Sequence, residues 1–287
     1  QQERILTRIN KLLLSVGAMK AGTTWLYRQL EQHPGISFSR EKELHYLAFA
    51  QGHRKNLNLQ YRLSRWSAAR RRAADSGTRL PGPDVSWYLD YLLMPRTWHW
   101  YERRFAGVRP EQYCADFSNL SALLSESAWE ELLGRVGELR LLYVLRDPLD
   151  RVWSHLKFHY QLGDAQEQLA HLARYESTAG LPERELIDHS LYACNLQRIL
   201  RVVPREHVHI ILYEQIDSDP VGVLRDVEAF LGLAPHDYNP AKLQRRINAS
   251  ASLERPAWVK EHFMPLLAQD LRNLQELNVS VPESWCA

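Results

Sequence analysis

The feature that most constrains this chain is an apolar run that ends in a short loop bounded by glycines. Residues 12–16 read Leu-Leu-Leu-Ser-Val and stop at Gly17, the loop runs to Gly22, and Thr23 opens a helical pattern. The amides of such a loop and of a first helical turn lack intrahelical partners, and the helix dipole favours an anion beside them. The sequence therefore predicts a phosphate-binding loop at the end of a strand.

The spacing in this loop differs from that of the common nucleotide-binding loop. A Walker loop reads G-x-x-x-x-G-K-[ST], and here Gly17 and Gly22 keep the glycine spacing. Thr23 stands where the lysine belongs, and the lysine has moved into the loop as Lys20. The pattern indicates a nucleotide site that is not built for ordinary ATP hydrolysis.

A second motif of the same kind occurs far downstream. The apolar residues 141–145 are followed by Arg146, and Ser154 comes eight residues later on a helical pattern. Arginine offers a planar fork of donors that suits phosphate, and a serine hydroxyl near a helix start adds another donor. The sequence thus predicts two phosphate sites, each at a strand-to-helix junction.

Together the two motifs resemble those of sulfotransferases that use 3′-phosphoadenosine 5′-phosphosulfate (PAPS). The resemblance implies a three-layer α/β, P-loop-like fold with a central, mostly parallel sheet flanked by helices, in one domain over 1–287. It implies PAPS as co-substrate, adenosine 3′,5′-bisphosphate (PAP) as product, and no metal. The donor-binding residues that it indicates are Lys20, Ala21, Gly22, Thr23, Thr24, Trp25, Arg146, Ser154, Tyr213, Arg245 and Arg246.

The assignments of Tyr213 and of Arg245 and Arg246 rest on segments that match the family pattern only in part. Tyr213 and Glu214 resemble the Y-E-x-[LI] segment near the adenine in cytosolic relatives. Arg245 and Arg246 stand where relatives carry a basic loop over the 3′-phosphate, but the expected K-G-R is absent. Which of the two arginines serves is therefore left open.

The segment Lys42-Glu43-Leu44-His45-Tyr46 resembles the K-E-x-H-[FY] segment of the heparan-sulfate-type branch and its bacterial relatives. The resemblance makes Glu43 the catalytic base that takes the acceptor's proton. His45 is the competing candidate, since a histidine titrates near neutrality without any tuning. Lys20 is the residue expected to neutralise the charge that develops on the departing phosphate oxygen.

Three further stretches support the family weakly or remain open. Trp100, Tyr101 and Phe105 look like a W-Y-x-x-x-F helix of the core, and Asp116 stands where relatives show the glutamate of E-x-[ST]-P. Residues 51–84 carry many arginines and read as an insertion. This segment is either a solvated surface helix or a basic wall that attracts an anionic acceptor.

Alternating strand and helix patterns favour a parallel sheet covered on both faces. Strands are predicted over 11–16, 36–39, 140–145 and 208–213, and helices over 23–32, 120–134, 149–161, 183–203, 219–231 and 256–277.

Composition limits the other possibilities. The 287 residues carry a net charge of +2, so the whole molecule is not an electrostatic nucleic-acid binder, and no apolar run reaches the roughly 18 residues of a membrane span. The three cysteines have no metal-type spacing, and arginine far outnumbers lysine. These features favour a bacterial cytoplasmic enzyme. A Golgi lumenal domain with an anchor upstream of Gln1 is the alternative.

The preferred function is sulfuryl transfer to a hydroxyl or amine of a carbohydrate or small metabolite, and the arginine-rich segment points to an acidic acceptor. A P-loop kinase or NTPase is a second hypothesis, since Asp147 follows an apolar strand as a magnesium-binding aspartate would. Thr23 and Arg146 argue against it. A non-catalytic nucleotide-binding protein on the same fold is a third hypothesis.

Overall fold

The computed structural model describes residues 9–159, 183–243 and 254–285, and its centre is a parallel β-sheet. Within these ranges the sheet has five strands in the order β2-β3-β1-β4-β5, and every neighbouring pair runs parallel. The strands are β1 (Lys11–Gly17), β2 (Ile36–Phe38), β3 (Tyr113–Asp116), β4 (Glu138–Leu145) and β5 (Val208–Leu212). The predicted α/β fold with a mostly parallel sheet is confirmed.

Helices join the strands and cover the sheet. In the described ranges they are α1 (Thr23–Leu30), α2 (Tyr46–Ala50), α3 (Leu59–Asp75), α4 (Gly82–Leu93), α5 (Trp98–Glu102), α6 (Glu126–Leu133), α7 (Pro148–His159), α8 (Glu183–Asp188), α9 (Tyr192–Leu200), α10 (Tyr213–Ser218), α11 (Pro220–Leu231), α12 (Pro240–Leu243) and α13 (Ala257–Glu276). Consecutive residues of β1 and of β4 are buried, because both faces of the sheet are covered.

β3 was not among the predicted strands, although it lies at the heart of the sheet. It has only four residues and pairs with β1 through Leu13 and Ala115 and with β2 through Phe38 and the same alanine. A run as short as Tyr-Cys-Ala-Asp carries no detectable periodicity. The other four strands were predicted, and their bounds agree with the structure to within two residues.

Two of the long predicted helices are wrong as single elements. The stretch 120–134 contains a 3-10 helix, Asn119–Leu123, and then α6, whose start is capped because Ser125 Oγ accepts from the Ala128 amide over 3.3 Å. The stretch 183–203 splits into α8 and α9. The second begins where the Asp270 carboxylate accepts from the amides of Ala193 and Cys194 at 2.9 and 2.8 Å. A cap supplied from α13 cannot be read from the local sequence.

The arginine-rich segment forms α3 and the start of α4, which pack as a helical hairpin over 59–93 (the α3–α4 hairpin). A solvated surface helix describes most of α3, but one face packs inward, where buried Arg62 donates to the carbonyls of Tyr91 (2.7 Å) and Leu92 (2.5 Å). The basic side chains that remain exposed are Arg54, Lys55, Arg70, Arg71, Arg72 and Arg79.

Candidate active site

Two strand-to-helix junctions lie side by side at the carboxyl edge of the sheet. β1 and β4 are hydrogen-bonded neighbours, with Gly17 opposite Tyr143. Just beyond this pair, the Ala18 amide donates to the Val144 carbonyl over 2.7 Å. The loop after β1 and the segment after β4 therefore meet, as the crevice at the strand ends of an α/β sheet requires.

The loop after β1 presents free backbone donors. No group among the described residues accepts a hydrogen bond from the amides of Lys20, Gly22, Thr23 or Thr24. Lys20 and Gly22 adopt φ values of +68° and +90°, so the loop turns within a few residues, and α1 begins directly after it. Backbone amides gathered at a turn and at a helix start form an anion-binding concavity.

Gly22 is required by a close approach as well as by its φ. A Cβ at this position would lie 2.9 Å from Cδ2 of Tyr213, so only glycine lets that ring pack on the loop. The guanidinium of Arg146 lies 4.7 Å from the centroid of the same ring, and its Nη1 donates to the Lys20 carbonyl over 3.2 Å. Tyr213 and the loop therefore fix the position of Arg146 next to the free amides.

Arg151 lies on α7, between Arg146 and Ser154 in the sequence, and its contacts give it a structural role. It is fully buried and donates to the carbonyls of Met19, over 3.4 Å, and Leu186, and to Ser190 Oγ. Burial lowers the pKa of Arg151 to about 10, which leaves it charged at neutral pH. Arg151 braces the loop against the residues at the end of α8.

Lys20 lies in a cluster of positive charge. Its ammonium group is 4.3 Å from the centroid of the Phe158 ring, a cation–π distance. Burial lowers the pKa of Lys20, and the charges of Arg146, Lys157 and Lys42 lower it further. Cations that repel one another around free amides are stabilised when an anion binds between them, and an anion with several charges stabilises them most.

Glu43 is the acidic group of this cluster. Its side chain is 27% exposed, and its carboxylate lies 3.1 Å from Nε2 of His45 and 3.4 Å from Nζ of Lys42. Asn119 Nδ2 donates to it over 3.5 Å. Burial alone would raise the pKa of Glu43, but the hydrogen bond from His45 and the charges of Lys42 and His45 outweigh burial and lower it to about 2. Glu43 is therefore ionised at neutral pH.

Lys42 connects this carboxylate to the residues that follow the loop, and no role for Lys42 was predicted from the sequence. Its ammonium group donates to Thr24 Oγ1 over 3.0 Å and to Thr23 Oγ1 over 3.3 Å, as well as to Glu43. Burial lowers the pKa of Lys42, and the charge of Glu43 opposes that shift. Its signal in the sequence was its place in the K-E-x-H segment, directly before the proposed base.

His45 and Asp116 take part in the hydrogen bonds that hold residues 42–45, the segment that contains Glu43. The His45 amide donates to Ser118 Oγ over 2.9 Å, and that hydroxyl donates to the Asp116 carboxylate over 2.6 Å. Asp116 is fully buried and also accepts from the Tyr101 hydroxyl over 3.1 Å. Burial raises the pKa of Asp116 to about 6 although these hydrogen bonds oppose it. Asp116 thus fixes backbone rather than facing the crevice.

The remaining predicted donor-binding residues lie around the loop or outside the described ranges. Ser154 is buried on α7, and Trp25 on α1 donates from Nε1 to the Leu243 carbonyl over 3.1 Å. This contact brings the chain to α1 immediately before the undescribed residues 244–253. Arg245 and Arg246 lie among those residues.

The described residues contain neither a metal-binding cluster nor a membrane-spanning helix. In these ranges, no group of three or more His, Cys, Asp or Glu side chains is arranged to hold a metal ion. No helix there combines the length and the apolar character that crossing a bilayer requires.

The fold and these loops define a class: an α/β domain with free backbone amides and a cluster of cationic side chains at two adjacent strand ends. The family model described as "Sulfotransferase family" matches residues 13–237, which is most of the chain. The chain belongs to the sulfotransferase family. It is thereby placed among the sulfotransferase enzymes.

Individual relatives agree with this family. The chain is 24% identical over 247 residues to the human bifunctional heparan sulfate N-deacetylase/N-sulfotransferase 3. The alignment covers 83% of this chain and 24% of that protein. The chain thus spans about a quarter of the length of this curated relative. Two solved structures show the same fold. A sulfotransferase from Alicyclobacillus acidocaldarius has a TM-score of 0.66 at 24% identity, covering 97% of this chain and 99% of that one. The sulfotransferase domain of the Synechococcus PCC 7002 olefin synthase has a TM-score of 0.58 at 16% identity, covering 98% and 99%.

Proposed function

We propose that this chain transfers the sulfuryl group of PAPS to a hydroxyl or amine of an acceptor molecule. The observation that carries the proposal is the contact between the two motifs: the Arg146 guanidinium donates to the carbonyl of Lys20, inside the loop with the free amides. PAPS carries anionic groups at both its 5′ and 3′ positions, so it needs two neighbouring anion sites. The cluster of Lys20, Lys42, Arg146 and Lys157 supports a ligand with several negative charges.

In this proposal each donor-binding residue has one role. The loop amides and the Thr23 and Thr24 hydroxyls hold the 5′ phosphosulfate, and Arg146 and Ser154 hold the 3′-phosphate. Tyr213 lies beside the adenosine, and Arg245 or Arg246 closes over the 3′-phosphate. Lys20 stabilises the charge on the bridging oxygen as the sulfur–oxygen bond breaks, which is the main demand of such a transfer.

Glu43 is the proposed base, and its exposure supports the choice over His45. The Glu43 side chain is 27% exposed and can meet an acceptor, whereas the His45 side chain is 4% exposed and directs Nε2 at that carboxylate. A carboxylate with a pKa of about 2 is ionised but is a weak base. The negative charge of PAPS beside Lys42 would weaken the hold of that lysine on Glu43 and make the carboxylate more basic.

The acceptor in this proposal is a carbohydrate or a small metabolite. The relative named as a heparan sulfate N-sulfotransferase supports a sugar amine or hydroxyl. The exposed arginines of the α3–α4 hairpin favour an acidic acceptor over a neutral one. Nucleic acid is not the proposed partner, and a bacterial cytoplasmic location stays a prediction from the composition.

The proposal is tested first by ligand-induced thermal stabilisation. PAP without metal is expected to raise the melting temperature, and ATP with magnesium is expected to raise it much less. Stabilisation by ATP with magnesium alone would favour a kinase, and no shift with either ligand would favour a non-catalytic protein. A screen of carbohydrate and small-metabolite acceptors with sulfate-labelled PAPS then identifies the acceptor class.

Two substitutions test the assigned chemistry. Lys20→Met and Glu43→Gln are each expected to lower the turnover of PAPS at least about a hundredfold while PAP still binds, because each removes a group that acts mainly in the transition state. The measurement is the release of PAP from PAPS. Full turnover in Glu43→Gln, together with its loss in His45→Ala, would transfer the role of base to His45.

A further inference from the structure

A buried carboxylate lies two residues before the proposed base and has no role in the chemistry above. Glu41 is 1% exposed. Its carboxylate accepts from the Tyr88 hydroxyl over 2.5 Å and from Arg65 Nε over 2.5 Å, and Nη2 of Arg72 lies 3.9 Å away. A buried charge is costly unless it is paired and hydrogen-bonded, so this network is a built feature of the molecule.

The three described side chains that contact the Glu41 carboxylate all belong to the α3–α4 hairpin. Arg65 and Arg72 come from α3, and Tyr88 comes from α4. The residue before Glu41 makes a more superficial contact with the same hairpin, since Arg40 Nε lies 2.6 Å from the Asp84 carboxylate with both side chains about a third exposed. The buried carboxylate of Glu41 therefore connects the arginine-rich segment to residues 42–45, which carry the proposed base.

Residues 42–45, the segment that carries the proposed base, are held on their other side by the residues that follow β3. The Phe117 amide donates to the Lys42 carbonyl over 3.3 Å, and the His45 amide donates to Ser118 Oγ over 2.9 Å. Glu43 thus lies between two anchor points, Glu41 on the hairpin side and His45 on the sheet side.

We propose that Glu41 is a positioning residue through which the α3–α4 hairpin holds the proposed base in place. The inference rests on the proposed role of Glu43. Without the Glu41 carboxylate, Arg65 and Tyr88 lose their common acceptor and one of the two anchors of the segment is weakened. A displacement of the base by about 1 Å is enough to cost up to roughly a hundredfold in rate.

The test is a double-mutant cycle on Glu41→Gln and Glu43→Gln. The readouts are kcat for the release of PAP from PAPS with water as the acceptor, and the affinity for PAP by titration calorimetry. Glu41→Gln is expected to lower kcat by about tenfold or more and to change the PAP affinity less than about twofold. The double variant is expected to be no slower than Glu43→Gln, because both substitutions act through the same carboxylate.

Two further variants keep the test decisive. Asp84→Asn breaks the exposed contact between the same segment and the same hairpin, and it is expected to change kcat less than about twofold. Tyr88→Phe removes one hydrogen bond to Glu41 and leaves the charge pair with Arg65, so it supplies a milder loss of kcat if Glu41→Gln fails to fold.

Different outcomes refute different claims. Unchanged kcat in a folded Glu41→Gln protein overturns the positioning role, and so does an equal loss of kcat and PAP affinity, which would indicate a general structural effect. Additive losses in the double variant show that Glu41 acts independently of Glu43, which overturns the positioning role and leaves the base intact. Full turnover in Glu43→Gln refutes the base itself, and the positioning role is refuted with it.

Discussion

At the scale of single residues, one lysine of the candidate site contacts three side chains. The ammonium group of Lys42 lies within 3.0 to 3.4 Å of Thr24, Thr23 and Glu43, so it joins the donor loop to the proposed base. Its positive charge is one of the reasons that the pKa of Glu43 is lowered to about 2. An anion bound at the loop would compete for this lysine, so the proposed function implies that donor binding and the base strength of Glu43 are coupled.

The substitution Lys42→Met tests this coupling without any acceptor. Loss of the ammonium charge removes one of the two groups that oppose burial, while His45 remains, so the titration midpoint of the Glu43 carboxyl is expected to rise by about one pH unit. Carbon-13 NMR of glutamate-labelled protein follows the titration, with Glu43→Gln to assign the signal. The control is Lys55→Met, which removes the charge of an exposed lysine. An unchanged midpoint in Lys42→Met would show that Lys42 does not set the charge state of Glu43.

Residue types at motif positions could be predicted from the sequence, but contacts between distant segments could not. The glycines, Lys20 and Arg146 follow from motif spacing alone. Lys42 stood within a quoted motif, yet its link to the Thr24 hydroxyl depends on how β2 and α1 lie in space. Glu41 reads as one more charge in a polar loop, and only the packing of the α3–α4 hairpin makes it a buried acceptor.

At the scale of elements, the loop between β1 and α1 turns within a few residues and packs closely against Tyr213. Gly22 ends the loop with a φ of +90° and receives the Tyr213 ring at a distance that no Cβ tolerates. Tyr213 opens α10 directly after β5, and its ring in turn contacts Arg146. A single backbone position therefore sets the spacing between the two motifs.

Gly22→Ala is expected to lower PAP affinity at least about tenfold, because the new methyl group must displace the Tyr213 ring or the loop. Gly77→Ala is the matched control: Gly77 also has a positive φ, +71°, but a Cβ there meets nothing within 4 Å. This control is expected to lose stability by about 1 kcal/mol without loss of PAP affinity. Titration calorimetry and thermal unfolding measure the two quantities. Equal PAP affinity in Gly22→Ala and wild type would contradict the packing argument.

Element prediction succeeded where local pattern is strong and failed where the cause is remote. β1 and β4 are long apolar runs, and both were predicted. The boundary between α8 and α9 depends on the Asp270 carboxylate of α13, which lies 76 and 77 residues from the amides that it caps. β3 is too short to have a pattern of its own and is a strand only because β1 and β2 flank it.

At the scale of the whole molecule, burial of titratable groups near the site makes folding sensitive to acid. His189 is 2% exposed between α8 and α9, and burial, together with the charge of Arg151, lowers its pKa to about 3 although Glu43 opposes the shift. The unfolded chain binds a proton at His189 below about pH 6.5, whereas the folded chain does not. Stability is therefore lost as pH falls from 6.5 towards 3.

His189→Asn is expected to remove this part of the acid sensitivity. Between pH 7 and 4.5 the wild type should lose up to about 1.4 kcal/mol of unfolding free energy per pH unit relative to the variant. Asp116 acts in the opposite direction, since its pKa is raised to about 6, but both proteins share it. Urea unfolding at several pH values measures the difference, with the exposed His99→Asn as control. A difference between wild type and variant that is constant with pH would refute the assignment.

The central claim is that two adjacent strand ends bind the two phosphates of one adenosine ligand. Titration calorimetry of PAP against adenosine 5′-monophosphate, with wild type and Arg146→Ala, tests it most directly because the ligands differ only in the 3′-phosphate. The account predicts that wild type binds PAP at least about tenfold more tightly and that Arg146→Ala abolishes this preference. Equal affinity of wild type for both ligands, or an undiminished preference in Arg146→Ala, would contradict it.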